Sequence, residues 1–272
     1  MNIVVPVLVI SGLGSFIGIL LAIADKKLAV RTNPLIEEVL DLLPMGNCAN
    51  CGFAGCSQYA EAVVENQDVR PDLCTPGGND TAAKVAALTH KKAAEIKPVK
   101  AVAQCGGCEE SGCSTMFTYS GLHDCNAAAQ LFDGEKVCEF GCIGFGNCER
   151  ACPYGAITMT PSHLPDIDLE KCIGCGLCAK ECPRNVIALV PANAKSIVMC
   201  KNQAKGGQTR KACNSGCIAC RKCQKACTHG AITIVNNLCV IDYDKCQYCD
   251  EPACLGVECQ PGVIRPGFGI KN

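Results

Sequence analysis

The hydrophobic pattern of this chain changes character after its first forty residues. Residues 3–24 carry no charge (IVVPVLVISGLGSFIGILLAIA), and as a helix they are about 33 Å long, enough for a hydrocarbon core of roughly 30 Å. Asn33 then precedes a proline, which is typical of a helix start. Leu35 and Val39 recur on one face of that helix. The pattern predicts a membrane-spanning anchor followed by a short helix that packs on the next domain.

The charges that follow the apolar run predict its orientation. Lys26, Lys27 and Arg31 come after the run, and only two residues precede it. A secretory signal peptide has a basic start, so we expect an anchor in the inner (cytoplasmic) membrane that contacts lipid through residues 3–24. The positive-inside rule then places the chain from Asp25 onward in the cytoplasm, as a single-pass protein. A buried core helix is the alternative.

Cysteine dominates the rest of the composition. The chain has 27 Cys against 7 Phe, 5 Tyr and no Trp, and its hydrophobic content of 49% counts those cysteines. A chain so short of core is usually held together by disulfides or metal, and a reducing cytoplasm favours metal. The formal net charge of −1 gives no argument for a nucleic-acid partner.

One cysteine pattern occurs twice in the second half of the chain. The first copy is Cys125, Cys138, Cys142, Cys148 and Cys152, and the second, 75 residues later, is Cys200, Cys213, Cys217, Cys223 and Cys227. Self-similarity of this kind indicates a duplicated unit. We therefore expect two tandem bacterial-ferredoxin-like domains, each with two 4Fe-4S clusters, over residues 126–190 and 191–272.

The clearest cluster motif lies in the first of these domains. Its C-x2-C-x2-C-x3-C-P run gives three ligands to one cluster and the fourth to the neighbouring cluster in bacterial ferredoxins. The partner motif has Phe145 where the second copy has Cys220, and Cys138 is the natural replacement. The predicted ligand sets are Cys138, Cys142, Cys148 and Cys182 for one cluster and Cys152, Cys172, Cys175 and Cys178 for the other.

The second copy is less regular, because its last four cysteines are stretched. Crossed ligation predicts Cys217, Cys220, Cys223 and Cys259 for one cluster and Cys227, Cys246, Cys249 and Cys254 for the other. A set that includes Cys213 is an alternative. Cys200 and Cys213 are left without a ligand role, and Cys239 is expected to be a small buried residue.

Two shorter motifs precede the duplicated region. Cys48, Cys51, Cys56 and Cys74 predict a one-cluster 4Fe-4S domain, with zinc as the competing occupant. Cys105, Cys108, Cys113 and Cys125 repeat the opening spacing C-x2-C-x4-C and are a further candidate cluster, with unligated thiols as the alternative. The chain is thus expected to hold five 4Fe-4S clusters, or six if this last group is a site.

Several clusters in one chain predict an electron relay. No Rossmann fingerprint, P-loop or Ser/His/Asp arrangement indicates a catalytic residue or a further cofactor. We therefore expect an electron-transfer subunit of an enzyme, with no substrate-converting site of its own. A ferredoxin-like subunit of a hydrogenase or formate dehydrogenase is the alternative, and a zinc-stapled scaffold is another.

Three segments, LLPMGNCANCGFAGC, YSGLHDCNAA and EFGCIGFGNCERACPYGAI, together with the apolar N-terminus, resemble the RnfB family of Rnf complex subunits in its long, multi-cluster form. That complex is the ion-translocating ferredoxin:NAD oxidoreductase, and the resemblance covers nearly the whole chain. It implies a translocase subunit that accepts electrons from soluble ferredoxin. The electrons pass on to the membrane and flavin-bearing subunits while the complex moves Na+ or H+.

The predicted fold class is α+β. It consists of a transmembrane helix at residues 1–25, a small helical one-cluster domain at 26–97, a cysteine-rich connector at 98–125 and the two ferredoxin-like domains.

Overall fold

The structure, a computed structural model, describes residues 4–28, 33–131, 133–259 and 261–268. Helix α1 (Val4–Leu28) opens the chain. Within the described part, no helix has the length and apolarity needed to cross a membrane, so the transmembrane helix predicted at residues 3–24 is wrong. The side chains described in α1 cover residues 11–23, about 20 Å of helix against the roughly 30 Å of a hydrocarbon core.

The described chain otherwise consists of short helices and two-stranded sheets. The helices are α2 (Pro34–Asp41), α3 (Cys56–Glu65), α4 (Gly78–Thr89), α5 (Cys125–Leu131), α6 (Asn147–Arg150), α7 (Leu177–Glu181), α8 (Gly206–Ala212), α9 (Lys222–Ala226) and α10 (Tyr243–Cys246), with a 3-10 turn at Thr75–Gly77. The strands are β1 (Val99–Ala103), β2 (Ile157–Met159), β3 (Pro165–Ile167), β4 (Ile187–Pro191), β5 (Ser196–Val198), β6 (Ile232–Val235), β7 (Leu238–Ile241) and β8 (Ile264–Pro266).

The N-terminal cysteine motif is supported by its own small helical core. Val39 of α2, Tyr59 and Val63 of α3 and Val85 of α4 are at most 1% exposed and pack together. Asn33 caps α2 by accepting a hydrogen bond from the N–H of Leu35 (3.1 Å), as its sequence position predicts. The core positions α3, which begins at a cysteine.

The two copies of the cysteine pattern contain the same hairpin. Strands β2 and β3 pair antiparallel, with Ile157 opposite Ile167, and β6 and β7 pair with Ile232 opposite Ile241. Both leading isoleucines are buried, at 4% and 2% exposure. Each hairpin packs against cysteines, so the apolar core and the candidate metal ligands form one layer.

Strands from outside the hairpins tie the units together. Strand β1, in the segment predicted to be a connector, pairs antiparallel with β4 at the end of the first ferredoxin-like unit. Strand β5 likewise pairs with β8, near the other end of the second unit. The connector therefore contributes backbone to the first unit, an arrangement that its cysteine spacing does not signal.

Candidate metal centres

All 27 cysteines lie among the described residues and are free thiols. In the described part of the chain, four cavities of about 280 to 390 Å³ are each lined by four cysteines. We call them cavities A to D, in their order through the molecule. In the same described ranges, no three His, Cys, Asp or Glu side chains meet where a single metal ion could sit.

Cavity A lies in the N-terminal domain. Its cysteines are Cys48, Cys51, Cys56 and Cys74, as the motif predicts, and its volume is about 370 Å³. The Asn47 side chain accepts a hydrogen bond from the N–H of Cys56 (2.9 Å), and Gly52 turns the loop at φ +90°, a conformation that favours glycine. Burial raises the pKa of Cys74 to about 11. A thiol of this kind is protonated at neutral pH until a metal displaces its proton.

Cavity B belongs to the first ferredoxin-like unit and has a volume of about 330 Å³. Its cysteines are Cys152, Cys172, Cys175 and Cys178, the set that crossed ligation predicts. Gly174 and Gly176 have φ of +72° and +78° and let the loop wrap the cavity. The backbone N–H of Ala101 in β1 points to Sγ of Cys172 (3.5 Å). Burial also raises the pKa of Cys178, to about 12.

Cavity C differs from the prediction in one residue. The cysteines that line this space of about 390 Å³ are Cys125, Cys142, Cys148 and Cys182, so Cys125 stands where Cys138 was expected. Helix α5 begins at Cys125, and Asn147 holds it there by accepting a hydrogen bond from its N–H (2.8 Å). Phe145, at the substituted ligand position, stacks on the ring of His123 instead, with the ring centroids 5.0 Å apart.

Cavity D combines cysteines that the sequence did not group. It is lined by Cys105, Cys138, Cys200 and Cys213 and has a volume of about 280 Å³. The other members of the predicted connector group, Cys108 and Cys113, do not line it. The motifs did not indicate this set because its members lie up to 108 positions apart (213 − 105). The available signal was negative: Cys200 and Cys213 had no other role.

The second ferredoxin-like unit brings together two further groups of cysteines. Burial raises the pKa of Cys217, and the nearby Cys223 and Cys259 raise it further. Burial likewise raises the pKa of Cys254, with a further increase from Cys227, Cys246 and Cys249. We call the predicted sets site E (Cys217, Cys220, Cys223 and Cys259) and site F (Cys227, Cys246, Cys249 and Cys254). Cys220 is exposed, unlike its site E neighbours Cys217 and Cys223.

Cys239 lies beside site E without being one of its predicted ligands. It is 2% exposed, and its Sγ lies 3.7 Å from Sγ of Cys223. The contact holds the pKa of Cys223 below its usual range and raises that of Cys239. This arrangement fits a protonated thiol beside a thiolate ligand.

The donor set fits 4Fe-4S clusters. Four thiols surround each of the cavities A to D, and four cysteines are the usual ligands of such a cluster. Backbone N–H groups also point to the sulfurs, for example that of Val186 to Cys182 (3.4 Å) and that of Ala231 to Cys227 (3.2 Å). Hydrogen bonds of this type stabilise thiolates and tune cluster potentials.

Two protein-family models match the chain. Residues 140–186 match a family described as a 4Fe-4S dicluster domain. Residues 43–76 match one described as a putative Fe-S cluster. The matched segments contain most of the cysteines of cavities A, B and C.

Three curated proteins, each the RnfB subunit of its complex, are similar to nearly the whole chain. That of the proton-translocating ferredoxin:NAD(+) oxidoreductase complex of Clostridium ljungdahlii is 45% identical, over 97% of this chain and 93% of its own length. That of an ion-translocating oxidoreductase complex of Methanosarcina acetivorans is 40% identical, over 92% and 93%. That of the Na(+)-translocating ferredoxin:NAD(+) oxidoreductase complex of Acetobacterium woodii is 40% identical, over 92% and 74%.

Proposed function

We propose an arrangement of clusters and partners for this chain, which belongs to the RnfB family, subunits of the ion-translocating ferredoxin:NAD(+) oxidoreductase known as the Rnf complex. It is an iron-sulfur electron-transfer subunit of an oxidoreductase complex and carries multiple 4Fe-4S clusters. The resemblance seen in the sequence is thereby confirmed. A hydrogenase or formate dehydrogenase subunit is not favoured, since the relatives cover 92% or more of the chain.

The proposed ligand sets follow the cavities wherever the sequence and the cavities differ. Cavities A, B and C and sites E and F would each hold one cluster through their four cysteines. When bound, a 4Fe-4S cluster accepts and releases one electron without making or breaking a bond to a substrate. The domain division stands as predicted, except that β1 belongs with the first ferredoxin-like unit because it pairs with β4.

The observation that carries this function is the contact between successive cavities. Tyr154 lines both cavity A and cavity B. Cys148 of cavity C packs in the same core cluster as Cys172 and Cys178 of cavity B. The cysteines of sites E and F likewise share one core. A chain that places its clusters side by side in this way is suited to relaying electrons.

We place the contact with soluble ferredoxin at the second ferredoxin-like unit. Cys220 is exposed there, and the exposed Lys222 and Lys225 of α9 follow it directly. A cluster ligand at the surface shortens the path from a soluble donor, and positive charges at its rim attract a donor with an acidic surface. The other subunits, including flavin-bearing ones, would receive the electrons, and the complex would provide the membrane association and move Na+ or H+.

A charge reversal on α9 tests the ferredoxin contact. With the full chain purified without oxygen, we expect Lys222→Glu/Lys225→Glu to slow reduction by reduced ferredoxin several-fold at low salt, and less at high salt. Reduction by dithionite, a small reductant, should be unchanged. Lys171→Glu, on the first ferredoxin-like unit, is the charge-matched control. Equal slowing in both variants, or none in either, would place the contact elsewhere.

A metal count tests the cluster content itself. Six centres of four irons predict about 24 iron atoms and about 24 acid-labile sulfides per chain. A colourless protein that contains zinc and no sulfide would overturn the electron-transfer arrangement for this chain.

A further inference from the structure

Cavity D draws its four cysteines from three separate parts of the chain. Cys105 follows β1, Cys138 precedes the first ferredoxin-like motif, and Cys200 and Cys213 precede the second. The four thiols line one space and are between 6% exposed and partly buried. No short spacing forces such a meeting, so the tertiary fold alone brings them together.

Hydrogen-bond donors reach the sulfurs of cavity D. The backbone N–H of Cys142 points to Sγ of Cys105 (3.4 Å), and those of Asn202 and Cys217 point to Sγ of Cys200 (3.4 and 3.3 Å). The side-chain amide of Asn202 donates to Sγ of Cys138 (3.3 Å). These distances match those at Cys182 and Cys172 in the ferredoxin-like motif (3.4 and 3.5 Å). The sulfurs are thus prepared to carry negative charge.

The backbone also leaves no room for larger residues at the edge of cavity D. A Cβ on Gly107 would lie 2.9 Å from Sγ of Cys213 and 3.4 Å from Sγ of Cys113. Only glycine therefore allows the chain to pass this close to the thiols. Cys113 pairs with Cys213 across an isolated β-bridge and supports it from behind, outside the cavity.

We propose that Cys105, Cys138, Cys200 and Cys213 bind a 4Fe-4S cluster that joins the two ferredoxin-like units. The number of ligand cysteines remains 24, as in the sequence-based assignment, but its members change: Cys108 and Cys113 leave the ligand set, and Cys200 and Cys213 enter it. The inference deepens the proposed electron-transfer function and rests on it.

The position of cavity D gives this cluster its role. The N–H group that reaches Cys105 belongs to Cys142, a cysteine of cavity C. The N–H group that reaches Cys200 belongs to Cys217, a cysteine of site E. One hydrogen bond therefore connects cavity D to each pair of clusters. An electron crossing between the units would reduce the cluster in cavity D by oxidising that of one neighbour, and then reduce the other neighbour.

Alanine variants distinguish the two assignments. We expect Cys200→Ala and Cys105→Ala, in the full chain purified without oxygen, each to lose about four of about 24 irons, with matching sulfide. Cys108→Ala is the matched control and should keep its full iron content. If Cys108→Ala loses as much iron as Cys105→Ala, or if Cys200→Ala loses none, the proposal is overturned. The iron content of the unmodified chain decides the electron-transfer function separately.

A second variant keeps all the thiols and so avoids a folding defect from ligand loss. Asn202→Asp replaces the amide that donates to Cys138 by a carboxylate, while its other oxygen still accepts from the N–H of Ala204 (2.7 Å in the native chain). We expect unchanged iron and a lower midpoint potential for one centre in a redox titration followed by electron paramagnetic resonance. Unchanged potentials at all centres would show that Asn202 does not face a cluster ligand.

Discussion

The side-chain amine of Lys180 donates a hydrogen bond to the carbonyl oxygen of Cys48 over 2.6 Å, across 132 positions of sequence. This contact joins α7 of the first ferredoxin-like unit to the turn that carries cavity A. It therefore fixes the approach of cavity A to cavity B, which no local sequence pattern encodes.

Removing the Lys180 amine should loosen the N-terminal domain without affecting its metal site. Because the side chain is exposed, we expect Lys180→Met to weaken the docking by only about 1 kcal/mol. Amide hydrogen exchange over residues 43–76 should rise about fivefold, with iron content unchanged. Lys171→Met, which loses the same charge beside Asp168, should leave that segment alone. Equal protection in both variants would argue against the docking role.

The same interface contains a close approach between Gly46 and Tyr154. A Cβ on Gly46 would lie 2.5 Å from the Tyr154 hydroxyl, which is buried and has no hydrogen-bond partner among the described residues. We expect Gly46→Ala to destabilise the docked domain by about 2 kcal/mol, and Tyr154→Phe to be nearly neutral because it removes an unsatisfied group.

The double variant tests this contact. Since the phenylalanine ring leaves space for the new methyl group, Gly46→Ala should be restored in the Tyr154→Phe background, with a coupling of about 1–2 kcal/mol. Thermal unfolding followed by the visible absorbance of the clusters measures all four proteins. Strictly additive effects would mean that Gly46 matters for another reason.

Gly174 should be much less replaceable than Gly155, although both have positive φ, +72° and +58°. A Cβ at Gly174 would collide with the backbone carbonyl oxygen of Val99 in β1, whereas nothing lies within 4 Å of one at Gly155. We expect Gly155→Ala to cost about 1 kcal/mol. Gly174→Ala should cost about 3 kcal/mol or more and expose the β1–β4 pair to protease. Similar losses in the two variants would contradict the close approach.

Asn147 should be needed for the site at cavity C. It is 4% exposed; its Oδ1 accepts from the N–H of Cys125 (2.8 Å), and its Nδ2 donates to Asp124 (2.7 Å). Asn147→Ala removes both bonds, so we expect a loss of about 2–3 kcal/mol in stability and about four irons. Arg150→Ala, which also removes a bond to Asn147 (2.7 Å) but is largely exposed, should cost under about 1 kcal/mol. Full iron in Asn147→Ala would exclude this role.

Local spacing was enough to group cysteines that lie on one loop. Cys172, Cys175 and Cys178 are separated by two residues each, and so short a chain can only place them around one space. The start of α2 followed equally from Asn33 and its proline. The substitution at Phe145 was also visible in the sequence, but the residue that replaces the missing thiol was not.

The sequence by itself determined the chemistry: many thiols in ferredoxin-like spacing, and a family resemblance that the relatives confirm. It predicted a membrane-spanning helix from hydropathy alone, and the structure does not support one. The tertiary structure decided which distant cysteine completes each set, because Cys125 and Cys138 are both within reach of the first motif along the chain. Asn147 holds Cys125 at cavity C, and Asn202 lies beside Cys138 at cavity D. Those contacts depend on how the two units pack, and packing across about a hundred residues is not encoded in any local spacing.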